Sequence, residues 1–266
     1  MMKSSAKLIY FSPTGTTRKV VEAIAQGLQF VTVEHVDLTL PEAGSLKFPA
    51  MRDEVTIIGA PVYSGRLPAE AVSRMQVLRG NSTPSVVVVV YGNRAYDDAL
   101  LELRDLVVMA GFKPIGAAAF VGEHSYSTED TPIAVGRPDE DDLKKARDFG
   151  ALIDRKLRTM GTLEEIGTLF VPGNSPYRER RTLSNISPVT RETACTRCET
   201  CALVCPTGAV SVRETVVTDA GLCIRCCACV KVCPAGARVM EDPRIREVAE
   251  QLSVNCRERK EPEMYL

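Results

Sequence analysis

Apolar residues over the first 160 positions follow two alternating rhythms. Continuous apolar runs bounded by turn residues occur at Leu8–Phe11, Val55–Ala60, Ser85–Tyr91 and Ile115–Val121, and a more alternating run occupies Thr32–Leu38. Runs of this length read as strands, and those without polar interruption read as strands buried on both faces. Between them apolar positions recur at helical spacing: Val20, Ile24 and Leu28; Ala99, Leu103, Val107 and Ala110; Leu143, Ala146, Gly150, Ile153 and Leu157. Strands alternating with helices predict an α/β domain on a doubly wound parallel sheet of five strands.

After residue 160 the rhythm stops. The stretch "VPGNSPYRERRTLSNISP" is rich in Pro, Gly, Asn, Ser and Arg, which predicts a linker over 161–190. Its basic cluster Tyr177–Arg181 is either a solvated surface or a docking site. Two stretches then repeat one pattern, "CTRCETCALVCP" at 195–206 and "CIRCCACVKVCP" at 223–234, each C-x-x-C-x-x-C-x-x-x-C-P. The expected division is a first domain over 1–160, the linker, a cysteine domain over 191–242 and a charged tail over 243–266.

Composition adds little until the cysteines are considered. Apolar content of 45%, charged content of 25% and a formal charge of −1 are ordinary for a globular chain. No block of like charge suggests a nucleic-acid arm or a polybasic membrane anchor, and the longest apolar run, Val86–Tyr91, is too short to cross a bilayer. Leu8–Phe11 is too short for the core of an export signal, so the expected location is the cytoplasm. There thiols stay reduced and clustered cysteines bind metal. All ten cysteines lie after residue 194.

The cysteine run is similar to that of bacterial-type two-cluster ferredoxins, whose first three cysteines hold one 4Fe–4S cluster while the fourth holds the other. A cubane needs thiolates at tetrahedral corners. Three come from a tight loop, the fourth arrives from elsewhere, and the proline ends the short helix behind it. The resemblance implies a small α+β domain in which Cys195, Cys198, Cys201 and Cys233 hold cluster I and Cys223, Cys226, Cys229 and Cys205 hold cluster II. Two structural zinc sites are the alternative, but zinc leaves the third cysteine and the trailing C-P of each run unexplained. Cys227 aligns with Glu199 and is expected to be a spare, as is Cys256 in the tail.

The first strand runs into "FSPTGTTRKVVEAIA". Hydroxyls and a glycine at a helix N-terminus make an anion site, and this one lacks both the Lys of a Walker loop and a G-x-G-x-x-G turn. That suits a mononucleotide phosphate, with a solvent-facing capped helix as the alternative. The loop resembles the T-x-T-G-x-T loop of flavodoxins, with Ser12 in the first hydroxyl position. This resemblance implies strand order 2-1-3-4-5 and a ligand at the carboxyl ends of the strands. The ligand would be FMN, its phosphate held by Ser12, Pro13, Thr14, Gly15, Thr16 and Thr17. Its ring would lie among Pro61, Val62, Tyr63, Ser64 and Gly65 and among Gly92, Asn93, Arg94 and Tyr96, with Tyr63 and Tyr96 as the two stacking rings. Many flavodoxins use Trp in the first of these loops; this chain has none. A phospho-receiver is excluded, because the third strand ends in Gly59-Ala60-Pro61 without an Asp. His124, after the fifth strand, either tunes the flavin edge or is an ordinary surface or core residue, and His35 is expected to be structural.

The whole chain thus resembles fused flavodoxin–ferredoxin proteins of anaerobic bacteria and archaea. The resemblance implies an electron carrier serving redox partner proteins, without nucleic-acid binding or membrane insertion. With FMN and both clusters the net charge would fall to about −7, favouring partners with basic patches. The alternative is an NAD(P)H- or ferredoxin-dependent flavin reductase acting on a quinone or small oxidant, although no general acid–base or nucleophilic machinery is visible. Either the two domains dock, or electrons cross between chains of a homo-oligomer.

Overall fold

The computed structural model describes residues 5–28, 32–51, 54–162, 167–180 and 185–266. The first domain alternates β1 (Ser5–Tyr10), α1 (Thr16–Gly27), β2 (Thr32–Asp37), β3 (Val55–Pro61), α2 (Ala69–Met75), β4 (Thr83–Tyr91), α3 (Ala99–Met109), β5 (Phe112–Val121) and α4 (Glu140–Thr159). The five strands pair in parallel in the order β2-β1-β3-β4-β5, which is the flavodoxin-like order. Every residue of β3 and β4 is buried, as expected for central strands covered by helices on both faces. One face packs Ile9, Ile58, Val87 and Val89 with α2 and α3, and the other packs Leu8, Ile57, Val86 and Val88 with α1 and α4. Crossing from β1 to β3 on opposite faces puts the switch point, and hence a crevice, at the carboxyl ends of β1, β3 and β4.

The cysteine region holds β6 (Val189–Thr190), α5 (Thr200–Leu203), β7 (Val210–Val212), β8 (Val216–Thr218), α6 (Ala228–Lys231) and β9 (Arg238–Val239). Two small antiparallel pairs, β6–β9 and β7–β8, flank the two short helices. The internal repeat is visible in the backbone: Arg197 and Arg225 have φ of 54° and 58°, and Glu199 and Cys227 have φ of 63° and 56°. These left-handed residues curl each loop so that its cysteines turn inward.

Two segments depart from the expected organisation. The tail forms α7 (Pro243–Asn255) and then β10 (Glu263–Tyr265), which pairs antiparallel with β5, Met264 opposite Ala118, as a sixth strand of the first sheet. The segment expected as a linker is, over residues 167–180, tied to α3. Asn174 and Arg178 donate backbone N–H groups to Asp98 at 2.8 and 2.7 Å, and the Tyr177 hydroxyl donates to Asp105 at 2.6 Å. Arg66 and Arg180 converge on the buried carboxylate of Glu102 at 2.8 and 2.5 Å. The basic cluster is therefore docked over its described part; Arg181 lies outside the described residues.

Candidate cofactor sites

The cysteines collect into two groups. Cys195, Cys198, Cys201 and Cys233 line one hollow. Cys223, Cys226 and Cys229 each lie within electrostatic reach of Cys205. Each group thus joins three cysteines of one repeat to the fourth of the other. The groups differ in exposure: in the first Cys198 is exposed and Cys195 and Cys233 are half-buried, whereas in the second only Cys223 is more than slightly exposed. Burial pushes the Cys226 thiol up to about 12, with the neighbouring Cys229 and Cys223 adding to the rise, so a proton leaves it readily only when a cation is there to take the sulfur. Among the described residues no three His, Cys, Asp or Glu side chains converge tightly enough to hold a single metal ion. Four thiols lining one hollow, three from one repeat and the fourth from the other, suit a cubane.

Backbone N–H groups reach the sulfurs as well. Arg197 donates to Cys195 Sγ at 3.4 Å and Ala237 to Cys233 Sγ at 3.2 Å. Such bonds stabilise charge on ligated sulfur. Cys227 lies between ligand positions and is 2% exposed. Cys256 sits at the end of α7, far along the chain from both groups, where its carbonyl accepts from Asn93.

The crevice at the strand ends is an open cleft with a cavity volume of about 110 Å³. One end carries Thr14 and Thr16 from the β1–α1 loop. Gly15 has φ of 80°, which a side chain would resist, and its N–H donates to Ser12 O at 3.1 Å to close the turn. Ser12 Oγ accepts from Arg18 N at 3.1 Å, capping the first turn of α1. Thr17 Oγ1 is buried at the same helix head and finds no hydrogen-bond partner among the described residues. The helix head, with Thr14 and Thr16 lining the cleft beside it, fits a phosphate.

The other end is aromatic. Pro61 ends β3 and Val62, Tyr63 and Ser64 follow it, Tyr91 ends β4 and Gly92 follows, and Glu123, His124, Ser125 and Tyr126 follow β5. An added Cβ at Gly92 would run into the His124 ring, so only glycine lets the two loops meet. His124 Nδ1 accepts from Tyr126 N at 3.1 Å, and its ring meets Tyr126 edge-on at 5.1 Å. Burial, then Lys231 and Arg94, lowers the His124 imidazole to about 4, so it is neutral and keeps that acceptor.

The structure places several expected binding residues elsewhere. Tyr96, expected as the second stacking ring, is 8% exposed in the core, edge-on to Tyr91 at 5.4 Å. Its hydroxyl donates to Glu263 at 2.7 Å and lies 2.9 Å from that of Tyr265. Asn93 donates to the carbonyls of Cys256 and Glu258 at 2.7 and 2.9 Å, and Lys260 donates to Arg94 O. This loop grips the tail, and the tyrosine that faces the cleft opposite Tyr63 is Tyr126. Ser12, Pro13, Gly15, Thr17 and Gly65 shape their loops without lining the cleft.

The cleft's remaining wall comes from the cysteine domain. Ile224 and Arg225, between Cys223 and Cys226, line it. Ile224 packs against the apolar core of the first domain, and Arg225 hydrogen-bonds the Tyr126 hydroxyl. Burial raises the Tyr63 hydroxyl, and Cys226 and Cys227 add to the rise, which places Tyr63 next to the second cysteine group. Two contacts clamp the domains. Lys231 donates to Glu123 at 2.6 Å and to Ser127 O at 2.9 Å, and Arg74 donates to Pro206 O at 2.5 Å.

Residues 188–211 and 216–239 each match the model of the 4Fe-4S binding domain. The cysteine domain binds 4Fe–4S clusters. Among curated proteins none matches the chain. Among solved structures, flavodoxin 1 from Bacillus cereus is 18% identical, with a TM-score of 0.40 over 59% of this chain and 100% of that one. A flavodoxin from the domain Archaea is 15% identical, with a TM-score of 0.37 over 58% and 99%. The rubredoxin oxygen:oxidoreductase of Desulfovibrio gigas is 13% identical, with a TM-score of 0.42 over 58% of this chain and 36% of that one. The flavodoxin-like fold assigned here rests on the strand order itself. Among the described residues no helix is long and apolar enough to cross a membrane.

Proposed function

We propose that this protein is an electron carrier that holds FMN in the cleft and two 4Fe–4S clusters in the cysteine groups, and serves separate redox proteins. The observation that carries this reading is the shared wall: the loop of Cys223 and Cys226 presents Ile224 and Arg225 to the cleft. Bound there, FMN would supply storage of two electrons and each cluster of one. Thr14, Thr16 and the head of α1 bind the phosphate, Tyr63 and Tyr126 face the ring, and Ile224 keeps water from the junction. Arg225 is the only permanent cation among the described residues lining the cleft, and so stands where a reduced, anionic ring would be favoured.

The exposure gradient supports a direction for partners. The group with Cys198 faces solvent, and Leu203 beside it is 69% exposed, so cluster I is the port at which a partner docks, with cluster II as the inner relay. Because both domains of one chain already meet, this reading needs no second copy of the chain.

Anaerobically purified protein should contain one FMN and about eight irons with matching sulfide. Zinc in place of iron, or absence of flavin, would overturn the corresponding half. Rapid bleaching of the flavin by NADH or NADPH would instead favour the reductase reading.

A further inference from the structure

The two cysteine repeats align without a gap after their C-P: "CPTGAV" ends in Val210 and "CPAGAR" in Arg238. Both side chains are buried, Val210 at 7% and Arg238 at 2% exposure. A valine there is ordinary core packing. A guanidinium, always charged, is not, because burying an isolated charge is costly unless a counter-charge is present.

The partners of Arg238 do not supply one. It donates to the hydroxyls of Thr190 and Thr218 at 2.6 and 2.7 Å, and among the described residues no carboxylate joins them. Its Nε–H is buried with no hydrogen-bond partner among the described residues. Its third contact is Cys229 Sγ at 3.8 Å, in the second cysteine group, where the sulfur stands for a cluster thiolate. On its other side it lines the hollow of Cys195, Cys198, Cys201 and Cys233. The cation therefore contacts the second group through Cys229 and acts electrostatically on Cys201 of the first.

We propose that Arg238 is a counter-ion shared by the two clusters, placed to favour the reduced form of each. The inference rests on the cluster assignment above and not on FMN. Each cluster takes up one electron and gains one negative charge, with no bond made or broken, and a fixed cation close by stabilises that added charge. Its position in only one repeat gives a single charge that acts on both centres, so the pair becomes easier to reduce together.

The test is a potentiometric titration of the full holoprotein, followed by the EPR signals of the reduced clusters, with mediators supplying electrons. Arg238→Gln should keep eight irons and make reduction of both clusters about tenfold less favourable, about 59 mV for a one-electron couple. Arg238→Lys, which keeps the charge, should restore most of that shift. Unchanged potentials in a fully loaded Gln variant, or a shift at one cluster alone, overturns the proposal. If the Gln variant does not load, iron content decides. Loading of the Lys variant upholds the charge requirement, and failure of both variants shows a purely structural role. A wild-type protein without eight irons would instead defeat the cluster assignment itself.

Discussion

Glu199 and Cys227 occupy the same place in the two repeats, each in left-handed backbone at the head of its short helix, yet Glu199 is exposed and Cys227 is 2% exposed. What differs is what lies over them. The first loop faces solvent, and the second faces Tyr63 and Tyr126 at the cleft. The spare cysteine is thus a small, weakly polar side chain filling a domain junction. Cys227→Ser should leave iron and sulfide content unchanged. Cys227→Glu, which copies the first repeat, buries a carboxylate against the tyrosines and should lower flavin content while sparing cluster I. Loss of iron in the Ser variant would show that Cys227 is a ligand.

The crossed ligand groups make a second prediction. Cys233→Ser should deplete the outer cluster first and leave the cleft intact, because its group is remote from Ile224 and Arg225. Cys226→Ser should deplete the inner cluster and also weaken flavin binding, because the loop that walls the cleft loses its anchor. Iron quantitation with flavin titration reads both effects. Equal flavin affinity in the two variants would count against the shared wall.

Tyr126, and not the expected Tyr96, lines the cleft together with Tyr63. Tyr96→Phe should leave flavin affinity near wild type while costing about 1 kcal/mol of stability through the lost hydrogen bonds to Glu263 and Tyr265. Tyr126→Ala should weaken flavin binding about tenfold or more, since an aromatic contact in a cleft contributes about 1 kcal/mol beyond its buried area. Urea unfolding and flavin fluorescence distinguish the two.

His124 gives a pH dependence with a definite sign. Its folded value, about 4, lies below the ordinary imidazole value, so between them the unfolded chain binds a proton that the folded chain refuses. Stability conferred by the neutral ring is full above about 6.5 and lost as pH falls toward 4, by up to about 3 kcal/mol. His124→Asn keeps an acceptor for Tyr126 N and should flatten this part of the profile. Parallel stability profiles for the two proteins between about pH 7 and 4.5 would remove His124 as the cause.

The central sheet was legible because β3 and β4 are buried on both faces and so carry uninterrupted apolar runs. β10 was not. Glu263–Tyr265 has no apolar run, and its pairing follows from the tail being held by Asn93 and by Arg259, which bonds Asp139 at 2.6 Å. The cysteine groups could be read from spacing, since a tight loop and its return fix which thiols can meet. Tyr126 could have been found by applying the strand-end rule to β5 as well as β3 and β4. Arg225 could not, because its place on the cleft depends on how two domains meet. Arg238 was within reach: aligning the repeats one position further sets it against Val210.

β10 also bears on how the molecule is assembled. The sheet's five parallel strands are complete by Val121, but the edge at Ala117–Ala119 is covered only by Glu263–Tyr265. Everything between, both cysteine loops included, is in effect a long insertion inside one sheet. A chain folding as it is synthesised carries that edge open until the cysteines have emerged. A split into separate halves would therefore leave the first with an unprotected rim.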